Sequence, residues 1–465
     1  MRADDPRSQS LARLRQDNWD VLVVGGGING AGIARDLMLR EAGLRVALVE
    51  KNHFASGTSG RNSQLIHGGL RYLKYFDFGL VREALRERAT LLKIAPGLVR
   101  PLEFLIPCYG KYDRWFYGAG LMLYDALAGG LGKHRALTGS NVARLEPRMA
   151  SEGLRAGLVF FDAQVHSARL VLENMVDAAA RGACMVNYAE AIRTPDGMEI
   201  HDRLSGDRFP VRARKIVDAT GAWSDTGDAK LRLVRGSHLV YPRIQQGPEA
   251  IAFFDEGGRV VFLIPWGEND DLTLVGTTDV DHAGGPDDVH ISQAEKDYLK
   301  AIVRRLFPAF QGEPLTSYSS LRPLVAVSGR SATTTSREHR IWETADGVLH
   351  VSGGKYTTYR EMSEELVDVL LRDLGPGREV PCRTATTVLD VYTPPLGTAA
   401  RVRMAVEREY ARKLQDLLYV STYWGHERHM VSEWLSPLAR EMGALLGWSE
   451  DRMASEVKEC LEHQG

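Results

Sequence analysis

The sequence predicts an α/β fold, α+β overall, and three observations carry that prediction. Near the start, the apolar run Asp20 to Val24, a glycine turn from Gly25 to Gly30, a helical stretch Ala31 to Arg40 and a second strand Arg45 to Glu50 form a strand–turn–helix–strand unit. Residues 231–278 alternate apolar and polar side chains between Pro and Gly breaks, the period of an antiparallel sheet. Past a Pro- and Gly-punctuated linker, Pro376 to Pro395, the chain turns all-helical.

The remaining elements follow the same logic. Residues 51–72, rich in Gly, Ser, Thr and Asn, read as a long functional loop. Helices are expected over Phe78 to Leu98 and around Leu170 to Arg181. A strand is expected from Lys215 into the turn Ala219-Thr220-Gly221, and another, Leu349 to Ser352, leads through Gly353-Gly354 into a helix from about Thr358 to Leu374. In the C-terminal region Val402, Val406, Tyr410, Leu414 and Leu418 recur every four residues as one helix face. Leu435, Leu438, Met442 and Leu445 do likewise, and Ser449 caps a third helix carrying Met453, Val457 and Leu461. The expected organisation is a body over 18–390 with dinucleotide-binding parts at about 18–100, 150–230 and 345–375, a substrate-binding sheet at about 231–344, and a small helical cap over 396–465.

Bulk properties narrow the function. The 58 basic and 60 acidic residues leave a net charge of −2, with no cationic excess to meet a nucleic-acid backbone. Cys108, Cys184, Cys382 and Cys460 lie far apart without CxxC or His spacing, which fits a reduced, cytoplasmic chain with no metal and no disulfide. Met1 to Asn18 is charged, lacks the apolar core of a signal peptide and reads as a tail. No apolar run of about eighteen residues is present to span a bilayer. Lying on the cytoplasmic membrane face stays open. Trp115-Phe116-Tyr117, Leu121 to Tyr124 and Leu127, flanked by Lys111, Arg114 and Lys133, suit either an interfacial membrane helix or a plain buried one.

The turn Gly25-Gly26-Gly27-Ile28-Asn29-Gly30 fits G-x-G-x-x-G, with Glu50 closing the next strand. Gly25 makes the tight turn, Gly27 lets the backbone approach a pyrophosphate, and Gly30 permits close packing. The helix N-terminus offers free N–H groups to the phosphates. Glu50 can accept hydrogen bonds from ribose hydroxyls and would repel a 2′-phosphate, which argues against NADP. The chain then leaves on a polar loop and returns at Gly221 and at Gly353-Gly354. A domain split this way wraps FAD rather than NAD.

The segments GGGINGAGIARD (25–36), TSGRNSQLIHGGLRYL (58–73), GSHLVYPR (236–243), IPWG (264–267), GTTDVD (276–281), LRPL (321–324) and GGKYTTYR (353–360) carry a family resemblance. In order and spacing the chain resembles the FAD-dependent glycerol-3-phosphate dehydrogenases of the aerobic, respiratory type, within the D-amino-acid-oxidase-like flavoproteins. The resemblance implies a split Rossmann-like FAD-binding domain. It also implies oxidation of sn-glycerol 3-phosphate to dihydroxyacetone phosphate by hydride transfer to flavin N5, with a quinone as acceptor and a homodimer compatible with the reading. It implies FAD contacts from Gly25, Gly27, Ile28, Asn29, Gly30, Glu50, Lys51, Thr58, Ser59, Leu65, His67, Gly68, Gly69, Leu70, Gly221, Gly353, Gly354, Lys355 and Thr357. It places Arg71, Tyr72, His238, Arg322 and Lys355 around the substrate. The chain departs from the pattern at Gln64, where Lys is common, at Gly60, where Ser is usual, and in a C-terminal region shortened between Arg383 and Arg401.

Oxidising a secondary alcohol at a flavin needs a base for the hydroxyl proton, and a dianionic phosphate needs fixed cations. His238, Arg322 and Lys355 are the catalytic candidates. His238 is expected to be the base because imidazole titrates nearest neutral pH, with Lys355 as its rival. His67 is read as non-covalent toward the flavin, and His426 and His429 as polar cap surface. An oxidase using oxygen, a related hydroxy- or amino-acid oxidoreductase and a flavin-binding protein without turnover are the competing readings. Three cations in the matched segments favour a phosphate over a carboxylate.

Overall fold

The computed structural model describes residues 5–69, 78–128, 132–194, 197–224, 231–325, 339–390 and 393–462. Two sheets organise them. The first has six strands in the order His339–Glu343, Val348–Gly353, Ala213–Asp218, Trp19–Val24, Val46–Glu50 and Cys184–Asn187. All its pairings are parallel except the edge pair His339–Glu343 with Val348–Gly353. Its central strand is a continuous apolar run because both faces are covered, and Val21, Leu22 and Val23 have no solvent exposure. The helix Ile28–Leu39 lies on this sheet between the helices Ser167–Ala180 and Tyr359–Asp373.

The second sheet has ten strands, built around Leu231–Pro242. That strand pairs antiparallel with Leu272–Gly276 on one side and Thr316–Val325 on the other, as the alternation over 231–278 predicts. The sheet also recruits Val99–Cys108, Ala156–Val165 and the short strand Leu65–Ile66. Residues 51–69 of the predicted loop thus anchor through Leu65 and Ile66, paired with Gln164 and Ala163. This pairing brings the loop between the two sheets, where a site can form.

Three expectations change. The N-terminal tail is in fact a helix, Pro6–Gln16, capped by the Asp5 side chain. It holds because Arg7 is buried against Asp202 at 2.6 Å and Leu11 and Leu14 pack on the first sheet, contacts invisible to local sequence. The face from Val402 to Leu418 is not one helix. Thr398–Glu407 ends, Tyr410 adopts φ +65°, and a new turn starts at Leu414. Asn187 donates to the Tyr410 carbonyl at 2.7 Å, and Asp416 accepts from the Arg412 and Lys413 amides, so tertiary partners replace the helical ladder. Leu461 is 38% exposed rather than core.

Candidate active site

A cleft of about 1250 Å³ runs between the two sheets. One end is the glycine turn. Gly25 sits at φ +111°, and a β-carbon on it would lie 2.6 Å from the Ala219 carbonyl oxygen, so only glycine closes this turn. A β-carbon on Gly30 would overlap the Gly25 carbonyl oxygen, so Gly30 packs the turn and does not face the cleft. Among the described residues, the one neighbour within 4 Å of a β-carbon on Gly27 is Ser59, leaving room for a ligand to approach the backbone. The helix starts at Ile28, whose amide donates to Ser59 Oγ at 2.9 Å. Glu50 accepts from the Gly26 amide at 2.7 Å and the Asn52 amide at 2.8 Å, and burial pushes its carboxyl above the usual range. A dinucleotide fits this end: N–H groups for phosphates and a carboxylate for ribose.

Most of the other cofactor candidates converge on the same cleft. Ile28, Asn29, Lys51, Thr58, Ser59, Leu65, His67, Gly69, Gly221, Gly353, Gly354, Lys355 and Thr357 line it. Lys51 is tied to Asp287 at 3.0 Å and lies over the Trp223 ring. Thr357 Oγ1 accepts from the His67 amide and donates to its carbonyl, fixing the loop there. Gly68 does not line the cleft. Its amide points away to Tyr124 Oη and Asp162, and a β-carbon would overlap Leu85 and Tyr124. Leu70, Arg71 and Tyr72 lie outside the described residues.

Strand register brings the catalytic candidates into the same cleft. His238 stands opposite Gly276 on one side and Tyr318 on the other, while Arg322 comes from the strand bearing Tyr318. The Tyr318 ring stacks on His238 with centroids 5.0 Å apart, and Ser63 Oγ lies 2.9 Å from His238 Nε2. The Arg322 guanidinium packs so closely over Gly236 that a β-carbon there would overlap it. Arg322 donates to Asp279 at 3.0 Å and to Thr277 Oγ1 at 2.8 Å. Its charge is therefore shared with a carboxylate. Lys355 reaches the same cleft, its ammonium 3.5 Å from the Leu80 carbonyl oxygen.

The expectation that His238 titrates near neutrality is corrected. Burial, and after it the Arg322 guanidinium, lower the imidazole to about 3. The ring is neutral at physiological pH, able to take a proton but a weaker base than a solvated histidine.

Residues 20–360 match the family model described as DAO, FAD dependent oxidoreductase. The chain belongs to this family. FAD is its cofactor, and the cleft's glycine turn and Glu50 suit the pyrophosphate and ribose. The chain is 38% identical over 438 residues to a glycerol-3-phosphate dehydrogenase of Synechocystis sp., covering 84% of this chain and 77% of that protein. It is 35% identical over 405 residues to the aerobic glycerol-3-phosphate dehydrogenase of Staphylococcus aureus, covering 81% and 72%. Among solved structures it resembles the glycerol-3-phosphate dehydrogenase from Bacillus halodurans complexed with FAD, with a TM-score of 0.79 at 25% identity over 99% of this chain and 97% of that one. The FAD-bound L-alpha-glycerophosphate oxidase from Mycoplasma pneumoniae shares the fold, with a TM-score of 0.65 at 20% identity over 82% and 100% of the two chains.

Several groups in this flavoenzyme's cleft escaped the sequence reading. Ser63 and Arg61 sit inside a quoted segment, yet no local feature marks them as cleft residues. Arg61 lines the cleft with no ion pair among the described residues, and burial lowers its pKa. His426 is not surface but buried, lining the cleft with its ring 5.1 Å from Tyr318 and 5.0 Å from Tyr419. His429 is exposed, as expected. Gln64, the departure from Lys, is fully buried. It accepts from the Ser167 amide and hydroxyl and from Tyr423 Oη, tying the cofactor loop to the C-terminal region. A lysine has no acceptor to offer there.

Proposed function

We propose that this flavoenzyme oxidises sn-glycerol 3-phosphate to dihydroxyacetone phosphate and hands the electrons to a quinone at a membrane surface. The observation that carries the reading is a buried, neutral imidazole, His238, on the same sheet as Arg322 and in the same cleft as the glycine turn. The 35–38% identity to glycerol-3-phosphate dehydrogenases points the same way.

In this reading Arg322 and Lys355 grip the phosphate, with Arg71 and Tyr72 as further substrate contacts. Asp279 holds the Arg322 fork in one orientation, which lowers its net charge but preorganises it. A bound dianion offsets the Arg322 charge that depresses His238 and so restores part of its basicity. His238 then receives the hydroxyl proton from C2. Bound FAD supplies the acceptor for the hydride.

The acceptor side rests on a separate observation. The helix Asp113–Ala128 buries Leu121 and Tyr124 but exposes Trp115 at 73%, Phe116 at 64% and Met122 at 67%. Such an apolar face beside Lys111 and Arg114 suits the interfacial zone of a bilayer, where a quinone is met. Among the described residues no helix is long and apolar enough to cross a membrane. The setting proposed is the cytoplasmic membrane face, with a homodimer compatible.

Anaerobic mixing with candidate substrates tests the reaction. Glycerol 3-phosphate should bleach the flavin rapidly, and glycerol, 2-hydroxy acids and amino acids should not. Faster bleaching by an amino or hydroxy acid overturns the substrate. Reoxidation by oxygen at the rate of a soluble quinone analogue would make the enzyme an oxidase.

A further inference from the structure

We propose that Ser63 is a catalytic proton relay, passing the substrate's hydroxyl proton to His238. The inference rests on the reading of His238 as the base and adds the route by which the proton arrives.

His238 is 1% exposed and cannot swing outward. Tyr318 stacks on one face of its ring, and Gly276 leaves no space for even one carbon against Cδ2. Nδ1 is buried with no hydrogen-bond partner among the described residues, so it offers no path to the cleft. Nε2 is already engaged by Ser63 Oγ at 2.9 Å. Ser63 is itself half-buried and, like His238, lines the cleft, so its hydroxyl is the polar group that holds Nε2 there.

Ser63 is also held still. On one side the Asn62 carbonyl accepts from Tyr318 Oη at 2.8 Å, and Asn62 Oδ1 accepts from the Gln64 amide at 2.8 Å. On the other side Gln64 is locked through Ser167 and Tyr423. A hydroxyl donates one hydrogen bond and accepts others, so a fixed serine can give and take a proton in one motion.

The step balances. Ser63 gives its hydroxyl proton to Nε2 as its oxygen takes the proton from the substrate's C2 hydroxyl. The C2–H electron pair leaves as hydride to the flavin, and C2=O forms. Ser63 ends as it began, and His238 ends as imidazolium. The relay runs on the tautomer protonated at Nδ1, in which Ser63 donates to Nε2.

The test is anaerobic flavin reduction by saturating glycerol 3-phosphate in mixtures of H₂O and D₂O, using the FAD-loaded enzyme. With two protons in flight, the parent rate should fall along a bowed curve as the deuterium fraction rises. Ser63→Ala should reduce the rate by about 10- to 100-fold, within the range for general-base chemistry. It should also straighten the curve and leave FAD content unchanged, while Ser63→Thr should restore rate and curvature. A straight line for the parent enzyme overturns the relay without any variant. A Ser63→Ala rate within about twofold of the parent's overturns it too, leaving Ser63 a positioning residue. His238→Ala separates the two readings. If it keeps the parent rate, the base assignment fails, whereas a slow His238→Ala with a straight parent line leaves the base and removes the relay.

Discussion

A β-carbon at residue 276 would overlap Cδ2 of His238, so a glycine in one strand sets where the imidazole of the neighbouring strand lies. Gly276→Ala must push the ring off Ser63 and Tyr318. Flavin reduction should slow by about 10²-fold, comparable to losing a general base. FAD absorbance per protein should stay at the parent level. A parent-like reduction rate would show that the ring's position does not matter.

The glycine turn allows a graded test of cofactor binding. A methyl on Gly27 meets Ser59 Oγ at 3.0 Å, which a small rotation of that side chain relieves. Gly27→Ala should therefore keep some FAD, while Gly27→Val, with two further carbons reaching into the cleft, should purify colourless. Visible absorbance of the purified proteins checks both, and a yellow Gly27→Val protein would displace the pyrophosphate from this turn.

If Arg322 and Lys355 grip the phosphate, replacing either by Met should weaken glycerol 3-phosphate binding by about 2–4 kcal/mol, read from the substrate dependence of flavin reduction. The two variants should differ in stability. Arg322→Met removes the ion pair with the buried Asp279, so its melting temperature should drop more than that of Lys355→Met. Adding Asp279→Asn to Arg322→Met should recover stability without recovering affinity. Equal use of glycerol and its phosphate by the parent would show that these cations serve another purpose.

Acid stability follows from two histidines, the buried His238 and the half-buried His166. His238 and His166 are each lowered to about 3, by burial first and then by Arg322 and Arg169 respectively. In the unfolded chain each titrates near 6.5, so between about 6.5 and 3 unfolding takes up protons. Their contribution to stability is present above pH 6.5 and is lost as pH falls through that window. Urea midpoints measured at pH 7.5, 6 and 5 should fall less steeply for His166→Gln than for the parent. Identical slopes would mean that His166 titrates in the folded state as it does in the unfolded chain.

The exposed face of Asp113–Ala128 predicts membrane affinity. Trp115→Ser with Phe116→Ser should reduce co-sedimentation with anionic vesicles several-fold and leave the melting temperature unchanged, because both side chains are mostly in solvent. Vesicle binding equal to the parent's would remove this helix from the interface.

Local chemistry determined much of this molecule. The turn from Gly25 to Gly30, its flanking strands and Glu50 were legible because a phosphate-binding turn needs particular residues at adjacent positions. The alternation over 231–278 announced its sheet for the same reason, since side-chain period is a property of the strand itself. What tertiary structure alone decided lies where distant segments meet. Ser63 and His238, 175 residues apart, touch because Leu65–Ile66 joins the second sheet. His426 reads as surface in its own segment and becomes cleft wall only when Trp266 and Tyr318 close over it. The face from Val402 to Leu418 breaks because Asn187 takes the Tyr410 carbonyl. The low basicity of His238 comes from burial beside Arg322, 84 residues downstream (322 − 238). Periodicity and motif act over neighbouring residues, whereas desolvation and packing depend on which remote side chains the fold brings to a given point.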